Sequence, residues 1–370
     1  MLRLTSFRLP GVSFRGVSFP GTGLSCRLSC RLSSPRTRYG IARLAVISTV
    51  AAVAGLAAFS GSAEAQLPLG GAVGINANTF DYQGAPRVAM RRDGSGWFVW
   101  ESRNGPTVGD VSIREFSAGG SLATEATCNQ FTTDDQLRPL VAANFAGTSL
   151  GDDEIVASDS ELFSYDIAAL PAGRSIVVLH AGTLDGDVFG QLLAANGTIA
   201  GLPFPLSATD NGPTSERSAP SVASDALGGF VAVWIDETSQ QLFARRFRPD
   251  ASPIGGNIQV TTTTAFQRVN PQVAMGADGS FVVTWGNELT ENADGHILGR
   301  EFARTGTPVG LAFSIESTVD AYNGGVAMSD GRFMATWSAP DVSSTGVWAR
   351  LYERRVVFSD GFDGGNLDYW

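Results

Sequence analysis

Residues 270–317 read NPQVAMGADGSFVVTWGNELTENADGHILGREFARTGTPVGLAFSIES, and most of the chain repeats this pattern. Two Asp-Gly dipeptides, at 278–279 and 294–295, lie between apolar runs, which is a strong hairpin signal. Side chains alternate along a strand, so the aromatic residues Phe281 and Trp285 share one face. The stretch predicts a small antiparallel sheet of four strands, at Gln272–Met275, Ser280–Trp285, His296–Phe302 and Leu311–Ile315.

The tryptophan that ends the second run recurs along the chain. It occurs at 100, 234, 285 and 337, and the last three are 51 and 52 residues apart. A fifth unit aligns at Ser175–His180, with His180 in the place of the tryptophan. The third run recurs five times, as Val111–Phe116, Val188–Leu193, Leu242–Phe247, Ile297–Phe302 and Val347–Tyr352. Four strands in a repeat of about 40–50 residues are typical of a propeller blade.

The two ends of the repeat region complement each other. The last unit has strand patterns at Gly325–Met328, Arg332–Trp337 and Val347–Tyr352 but lacks a fourth strand, and Leu69–Asn76 has the pattern of one. Pairing the two ends would remove exposed sheet edges. The prediction is an all-β fold, a propeller of about five four-stranded blades with the last blade closed by the N-terminal strand. An open stack of sheets is the alternative.

One interval is longer than the rest. Trp100 and His180 are 80 residues apart, and the surplus falls around Phe131–Ser160. Long insertions in a propeller usually lie on one face and often contribute to binding. The other interpretation is a divergent half-blade, which would raise the blade number to six.

The first 65 residues have the features of a secretory signal peptide with a long basic n-region. They contain eight arginines, all at or before position 43, and one acid, Glu64. The apolar run Leu44–Phe59 follows the arginines, and an Ala-x-Ala cleavage pattern follows at 63–65. A membrane-anchoring helix is the alternative, but the run is shorter than the roughly 20 apolar residues that a span needs. We therefore expect a leader (1–65), a repeat domain (66–352), a tail (353–370) and no transmembrane anchor after cleavage, with the protein secreted, periplasmic or on the cell surface.

Composition excludes several kinds of chemistry. All 26 basic residues are arginine, so a Schiff base or phosphate-loop lysine is absent. The rest of the chain is strongly acidic, which argues against nucleic acid as a partner. Cys128 is the only cysteine after the leader, and His180 and His296 are the only histidines, so neither a disulfide nor a thiolate metal cluster is expected.

Candidate ligand-binding residues lie three positions before the first-strand proline. They are Gln83, Arg217 and Arg268, and two arginines at a funnel entrance would suit a carboxylate or sulfate. The alternative for Arg217 is a salt bridge to Glu216 or a nearby aspartate. Three first-strand patterns carry no acid, namely Pro86–Met90, Pro220–Ser224 and Pro271–Met275, so no catalytic residue is predicted.

Other polar residues have structural interpretations. The third-strand arginines, at 114, 245, 300 and 350, recur once per blade, so each guanidinium is expected to meet an acid or a carbonyl. Trp97 and Trp348 break the repeat and are expected to be exposed. No cofactor is expected: calcium is possible at Asp134–Asp135, Asp152–Glu154 or Asp185–Asp187, but none of these matches a specific calcium loop.

The units resemble repeats of secreted bacterial proteins with propeller-like domains, through the pattern Pro-x-Val-Ala, Asp-Gly-x-Phe-Val-Val-x-Trp, Ile-x-x-Arg-x-Phe. The tail Phe358–Trp370 begins Phe-Ser-Asp-Gly-Phe-Asp-Gly-Gly and is similar to Phe-x-Asp-Gly-Phe-Glu-x-Gly tails of exported Gram-negative proteins. That second resemblance implies sorting or surface display.

The sequence as a whole predicts a secreted or surface-associated binding module whose ligand is a protein or a glycan. A carbohydrate-active hydrolase on a five-bladed propeller and a structural cell-surface repeat are the alternatives.

Overall fold

The computed structural model describes residues 12–18, 25–32, 67–79, 82–103, 109–127, 139, 141, 162–181, 187–207, 216–262, 267–288, 296–317, 321–329, 331–341 and 344–354. Apart from one 3-10 turn at Pro171–Gly173, the regular structure there is β-strand, and no helix has the length and hydropathy of a membrane span. The predicted insertion lies outside these residues except for 139 and 141, and the tail lies outside them beyond Arg354. The strands are β1 (Val12–Ser18), β2 (Ser25–Leu32), β3 (Leu67–Pro68), β4 (Val73–Gly74), β5 (Gln83–Met90), β6 (Gly96–Ser102), β7 (Asp110–Phe116), β8 (Ala126–Thr127), β9 (Leu162–Ala169), β10 (Ser175–Ala181), β11 (Val188–Leu193), β12 (Ile199–Pro205), β13 (Arg217–Ser224), β14 (Phe230–Asp236), β15 (Gln241–Phe247), β16 (Pro253–Gln259), β17 (Gln267–Met275), β18 (Phe281–Glu288), β19 (His296–Phe302), β20 (Pro308–Glu316), β21 (Tyr322–Ser329), β22 (Arg332–Pro340) and β23 (Thr345–Glu353).

Five antiparallel sheets form the blades of a propeller, and β1 pairs with β2 outside it. Blade 1 is β5–β8, blade 2 is β9–β12, blade 3 is β13–β16 and blade 4 is β17–β20. Blade 5 is β21–β23 with β3 and β4. The first strands of neighbouring blades pack on one another, β21 on β5, β9 on β13, β13 on β17 and β17 on β21, so they form the inner edge of the ring. The prediction of five blades rather than six is confirmed.

The turn between the first two strands of a blade shows why this sequence folds locally as it does. In blade 4 the Asp278 carboxylate accepts a hydrogen bond from the Ser280 backbone N–H at 3.1 Å, and Gly279 has φ +81°. A side-chain acceptor two residues back and a residue that tolerates positive φ are the two requirements of this tight turn. Blade 1 repeats it with Asp93, Gly94 at φ +85° and Ser95.

The predicted closure of the ring is confirmed. The N-terminal strands β3 and β4 both pair with β23, through Tyr352–Pro68 and Trp348–Gly74. Between and beyond these pairs, the Leu69 N–H donates to Leu351 O at 2.9 Å and the Ile75 N–H donates to Val347 O at 2.7 Å. Blade 5 therefore receives its fourth strand from the other end of the repeat region.

Apolar clusters fill the spaces between blades 2 and 3, 3 and 4, 4 and 5, and 5 and 1. The recurrent tryptophan faces the preceding blade and is almost fully buried, for example 1% exposed at Trp234 and 0% at Trp337. Second- and third-strand aromatics also stack in register, as Phe281 does on Phe302, with ring centroids 4.8 Å apart. The repeated apolar residues are the core that joins one blade to the next.

The third-strand arginines make the structural contact that their recurrence predicts. Arg300 Nη1 donates to Val260 O at 2.8 Å, and Arg350 Nη1 donates to Ile315 O at 2.5 Å. In each case the acceptor ends the fourth-strand segment of the preceding blade, and Arg114 and Arg245 bond Ile75 O and Leu206 O in the same way. Gln191 replaces the arginine in blade 2 and bonds within its own blade, to Leu192 O at 3.0 Å.

Two details of the sequence interpretation were wrong. His180 pairs with Val188, the position occupied in blade 3 by Ile235, so Leu179 and not His180 stands in the tryptophan's place. Trp97 was expected to be exposed but is 2% exposed, because the Arg91 guanidinium covers its ring at 3.8 Å. Trp348 is partly buried and packs against the cluster between blades 4 and 5.

Candidate binding site on the inner strands

One position on each inner strand can be matched between the five blades. It pairs with Val99, Val178, Val233, Thr284 and Thr336 on the second strands, which makes the five residues equivalent by register. We call them the inner ring: Arg87, Asp166, Ser221, Gln272 and Gly325. The five blades supply five different side chains here, whereas the core positions repeat.

Contacts connect the members of the inner ring around the axis. Ser221 Oγ donates to Asp166 Oδ2 at 2.7 Å, and the Val273 N–H donates to Ser221 Oγ at 3.3 Å. Gly325 lies so close to blade 1 that a Cβ there would be 3.1 Å from Pro86 O. Members of the inner ring therefore link blade 2 to blade 3, blade 3 to blade 4 and blade 5 to blade 1.

Asp166 is the acid that the sequence interpretation missed: the three first strands named there carry no acid, but the first strand of blade 2 carries this one. Its Oδ2 also accepts from the Val222 N–H at 3.0 Å, and its Oδ1 accepts from the Ile167 N–H at 2.8 Å. Burial raises the pKa of the Asp166 carboxyl, against the opposing effect of these hydrogen bonds and of the Arg87 charge. The strand escaped recognition because it follows the insertion and has Tyr165 where blades 1, 3 and 4 have the first-strand proline.

The three predicted ligand-binding residues are buried at the upper end of the inner strands, the end at which these strands begin. Gln83 is 0% exposed, and its Oε1 accepts from Trp100 Nε1 at 2.9 Å. Arg217 is 3% exposed and pairs with Asp187 at 3.0 Å, the salt bridge to a nearby aspartate that was the alternative. Arg268 is 2% exposed and lines a cleft between blades 3 and 4. The structure does not gather the three around one opening.

A partly exposed group at the upper face lies where blades 5 and 1 meet, and we call it the tyrosine cluster: Tyr82, Tyr322, Glu101, Arg103 and Thr345. The backbone of Tyr82 forms an isolated parallel β-bridge with the backbone of Thr345. The Arg103 guanidinium lies 5.3 Å from the Tyr82 ring centroid. The Tyr322 hydroxyl is 3.2 Å from Thr345 Oγ1.

Electrostatics and packing hold the tyrosine cluster in place. Burial, the Glu101 carboxylate and Tyr322 raise the pKa of Tyr82 to about 12, so the phenol keeps its proton at neutral pH. The Tyr82 hydroxyl lies over Gly84, where a Cβ would come within 2.2 Å of it. Glycine is therefore required at 84 for Tyr82 to adopt this position.

His180 lies at the upper face between blades 2 and 3, among acids. Burial lowers the pKa of the His180 imidazole, and the charges of Glu237, Asp187 and Glu216 oppose that shift. Glu237 in turn accepts a hydrogen bond from Gln240 Nε2 at 2.9 Å. Within the part of the chain that the structure describes, no three His, Cys, Asp or Glu residues come together as a metal site.

No protein-family model and no curated protein sequence matches the chain. Solved structures are similar to the chain at low identity. A protein of unknown function from Dyadobacter fermentans is 8% identical with a TM-score of 0.47, covering 78% of this chain and 99% of that one. An endo-arabinase from Bacteroides thetaiotaomicron is 13% identical with a TM-score of 0.38, covering 77% and 97%. An exo-β-1,3-galactanase from Clostridium thermocellum is 11% identical with a TM-score of 0.42, covering 75% and 62%.

Proposed function

We propose that the propeller is a binding module, secreted or attached to the cell surface, that recognises a hydroxyl-rich ligand such as a glycan at the tyrosine cluster. The observation that carries the proposal is the combination of two partly exposed phenols with a carboxylate and a guanidinium at the end of the inner strands. An aromatic ring offers an apolar face for a sugar ring, and its hydroxyl offers a hydrogen bond. The exposed Arg103 guanidinium adds hydrogen-bond donors for sugar hydroxyls.

The hydrogen bonds that Asp166 accepts within the inner ring favour binding over hydrolysis. Glycoside hydrolysis uses two carboxyl groups that flank the bond to be broken. Within the described inner ring Asp166 is the acid, and its two oxygens are engaged by Ser221, Val222 and Ile167. An acceptor held by three donors of the protein is poorly placed to act on a ligand.

The proposal is tested by screening the purified full chain on a glycan array and then measuring affinity for the best ligand. Tyr322→Ala should weaken binding about three- to tenfold, the worth of an aromatic contact of about 0.5–1.5 kcal/mol, whereas Tyr322→Phe should keep most of it. Leu227→Ala is the control, because Leu227 is 80% exposed in a turn at the opposite end of the inner strands. Unchanged affinity in Tyr322→Ala, or no glycan bound at all, would contradict the proposal.

A carbohydrate-active hydrolase remains the second candidate, and Asp166 is the observation that favours it. A carboxyl group with a raised pKa on an inner strand is the kind of group that general acid catalysis uses. A panel of glycosidase substrates separates the two candidates. Turnover that persists through purification and is abolished in Asp166→Asn would establish the hydrolase, and turnover that survives in Asp166→Asn would contradict a role for Asp166.

A further inference from the structure

An arginine of blade 3 meets an arginine of blade 4 at the lower end of the propeller, the end at which the inner strands finish, opposite the tyrosine cluster. Arg246 belongs to the third strand β15, and Arg304 belongs to the turn between β19 and β20. Across the blade boundary, Arg246 Nη1 donates a hydrogen bond to the backbone oxygen of Arg304. Arg246 is partly exposed and Arg304 is exposed. We call these two residues the arginine pair.

The two guanidinium groups of the arginine pair repel each other. Burial and the charge of Arg304 lower the pKa of the Arg246 guanidinium, which still keeps its proton at physiological pH. Among the described residues, no carboxylate forms an ion pair with either arginine. The Asp225 carboxylate lies nearby, since its Oδ2 and the Arg304 Cβ are each 3.6 Å from the place that a Cβ on Gly279 would occupy. The repulsion is therefore not offset by direct contact with an acid.

The boundary of blades 4 and 5 has an ion pair in the same place. Arg246 and Glu301 are equivalent, because each precedes the large residue that ends the third-strand repeat of its blade. Arg304 and Arg354 are also equivalent, because each comes two residues after that large residue. Arg354 Nε lies 3.6 Å from Glu301 Oε1, and the Glu301 side chain is 2% exposed. At these two positions the fold therefore accommodates opposite charges in contact, and blades 3 and 4 carry two positive charges there instead.

The other three blade boundaries do not place like charges at these positions. In each of them at least one of the two residues is apolar. The residues, third strand first and following turn second, are Glu115 and Ala195, Leu192 and Pro249, and Leu351 and Ala118. The like-charged pair is thus a feature of the boundary between blades 3 and 4 and does not follow from the repeat.

We propose that the arginine pair binds the sulfate or carboxylate group of a small acidic ligand. An oxyanion between the two guanidiniums would give them the kind of partner that Glu301 gives to Arg354. Guanidinium forks donate paired hydrogen bonds to such groups. Arg246 keeps Nη2 for this purpose while Nη1 holds the backbone oxygen of Arg304. The exposed Arg304 fork closes on the anion from the side of blade 4.

Titration calorimetry on the purified full chain tests the proposal. The probes are sodium sulfate, sodium galacturonate and neutral galactose, each at an ionic strength matched with sodium chloride. Wild type should bind an acidic probe and not galactose. Binding of sulfate alone and binding of galacturonate alone both support the proposal and identify the source of the oxyanion.

The decisive variant is Arg246→Glu, which gives blade 3 the residue of blade 4. It should weaken binding of the acidic probe roughly tenfold or more, because the new carboxylate occupies the Arg304 fork. It should also raise the melting temperature in sodium chloride alone, because attraction replaces repulsion. A variant that was merely damaged would melt at a lower temperature, so the two measurements together separate a lost site from a disturbed fold.

Three further variants complete the test. Arg304→Gln changes an exposed side chain and should weaken binding by itself, whereas Asp225→Asn removes a nearby competing carboxylate and should not weaken it. Arg332→Glu is the control for net charge, because Arg332 is exposed at the lower end of blade 5, and its affinity should equal that of wild type. Binding of neither acidic probe, or equal affinity in wild type and Arg246→Glu, would overturn the proposal.

Discussion

Two positions that occur once in every blade differ in how far the blades repeat the same residue. The third-strand position is arginine in four blades, and each arginine bonds the carbonyl at the end of the preceding blade. The inner ring has a different residue in every blade, from the charged Arg87 and Asp166 to Gly325. Both positions contact a neighbouring blade, but the repeated position makes the same contact four times, whereas the varied position carries a different residue in each blade. Residues that repeat build the propeller, and function is to be sought where the blades differ.

The comparison predicts the largest loss of stability at a repeated core residue. Trp337→Ala removes a side chain that is 0% exposed, and the lost burial together with the cavity should cost about 3–5 kcal/mol. Urea unfolding measures this loss in the free energy of unfolding. The control is Leu227→Ala, which should stay within about 0.5 kcal/mol of wild type. A loss below about 1 kcal/mol in Trp337→Ala would contradict the conclusion that the repeated residues stabilise the propeller.

A core substitution in the segment that closes the ring should lower the free energy of unfolding nearly as much. Ile75 is 2% exposed and packs in the cluster between blades 5 and 1, so Ile75→Ala should cost about 2–5 kcal/mol. The matched control is Leu69→Ala on the same N-terminal segment, since Leu69 is 45% exposed. Equal melting temperatures for the two variants would show that the segment does not contribute to the core.

At the inner ring the expected effect is a change of pH dependence. The folded-state pKa of Asp166 is raised above its unfolded value, so its contribution to stability is fully present below about pH 3.8 and is lost as the pH rises through the raised value. Asp166→Asn cannot ionise and should gain stability relative to wild type as the pH rises from 3 to 7. Unfolding curves over that range measure the difference in stability between the variant and wild type. A difference that does not change with pH would contradict the raised pKa of Asp166.

The smallest effect on the pH dependence of stability is expected at His180, where stability is lost as the pH falls instead of as it rises. Its folded-state pKa is lowered, so the associated stability is present above about pH 6.5 and is lost as the pH falls through the lowered value. The effect is small because Glu237, Asp187 and Glu216 favour the imidazolium. His180→Gln should therefore lose less stability than wild type between pH 7 and 5, as thermal melts in that interval would show.

The repeat made the fold predictable in detail. Strand β19 begins and ends at the predicted residues, and the ring closes with the predicted N-terminal segment. These predictions depend on repeated features. Alternating apolar residues and a large residue at the end of the third strand occur in all five units, and an Asp-Gly turn joins the first two strands in three of them. Each repeated unit acts as an independent observation of the same local structure.

The predictions failed where a single unit departs from the others. The inner strand of blade 2 has no proline, so Asp166 was overlooked, and Leu179 in the tryptophan's place shifted the alignment onto His180. Arg268 was predicted to share a site with Arg217, but the structure places it beside Arg300. Which side chains meet across blades depends on how the sheets pack, and the spacing within one unit does not contain that information.

The closing segment also sets the order of events in folding. The hydrogen bond from the Val347 N–H to Asn76 Oδ1, 2.8 Å long, joins residues 271 positions apart, whereas the sheets of blades 2, 3 and 4 are built from consecutive strands. Contacts of such high sequence separation carry a large loop-closure entropy and form late. Until the closing segment docks on β23, the outer edge of blade 5 offers its unpaired backbone groups to any other extended chain.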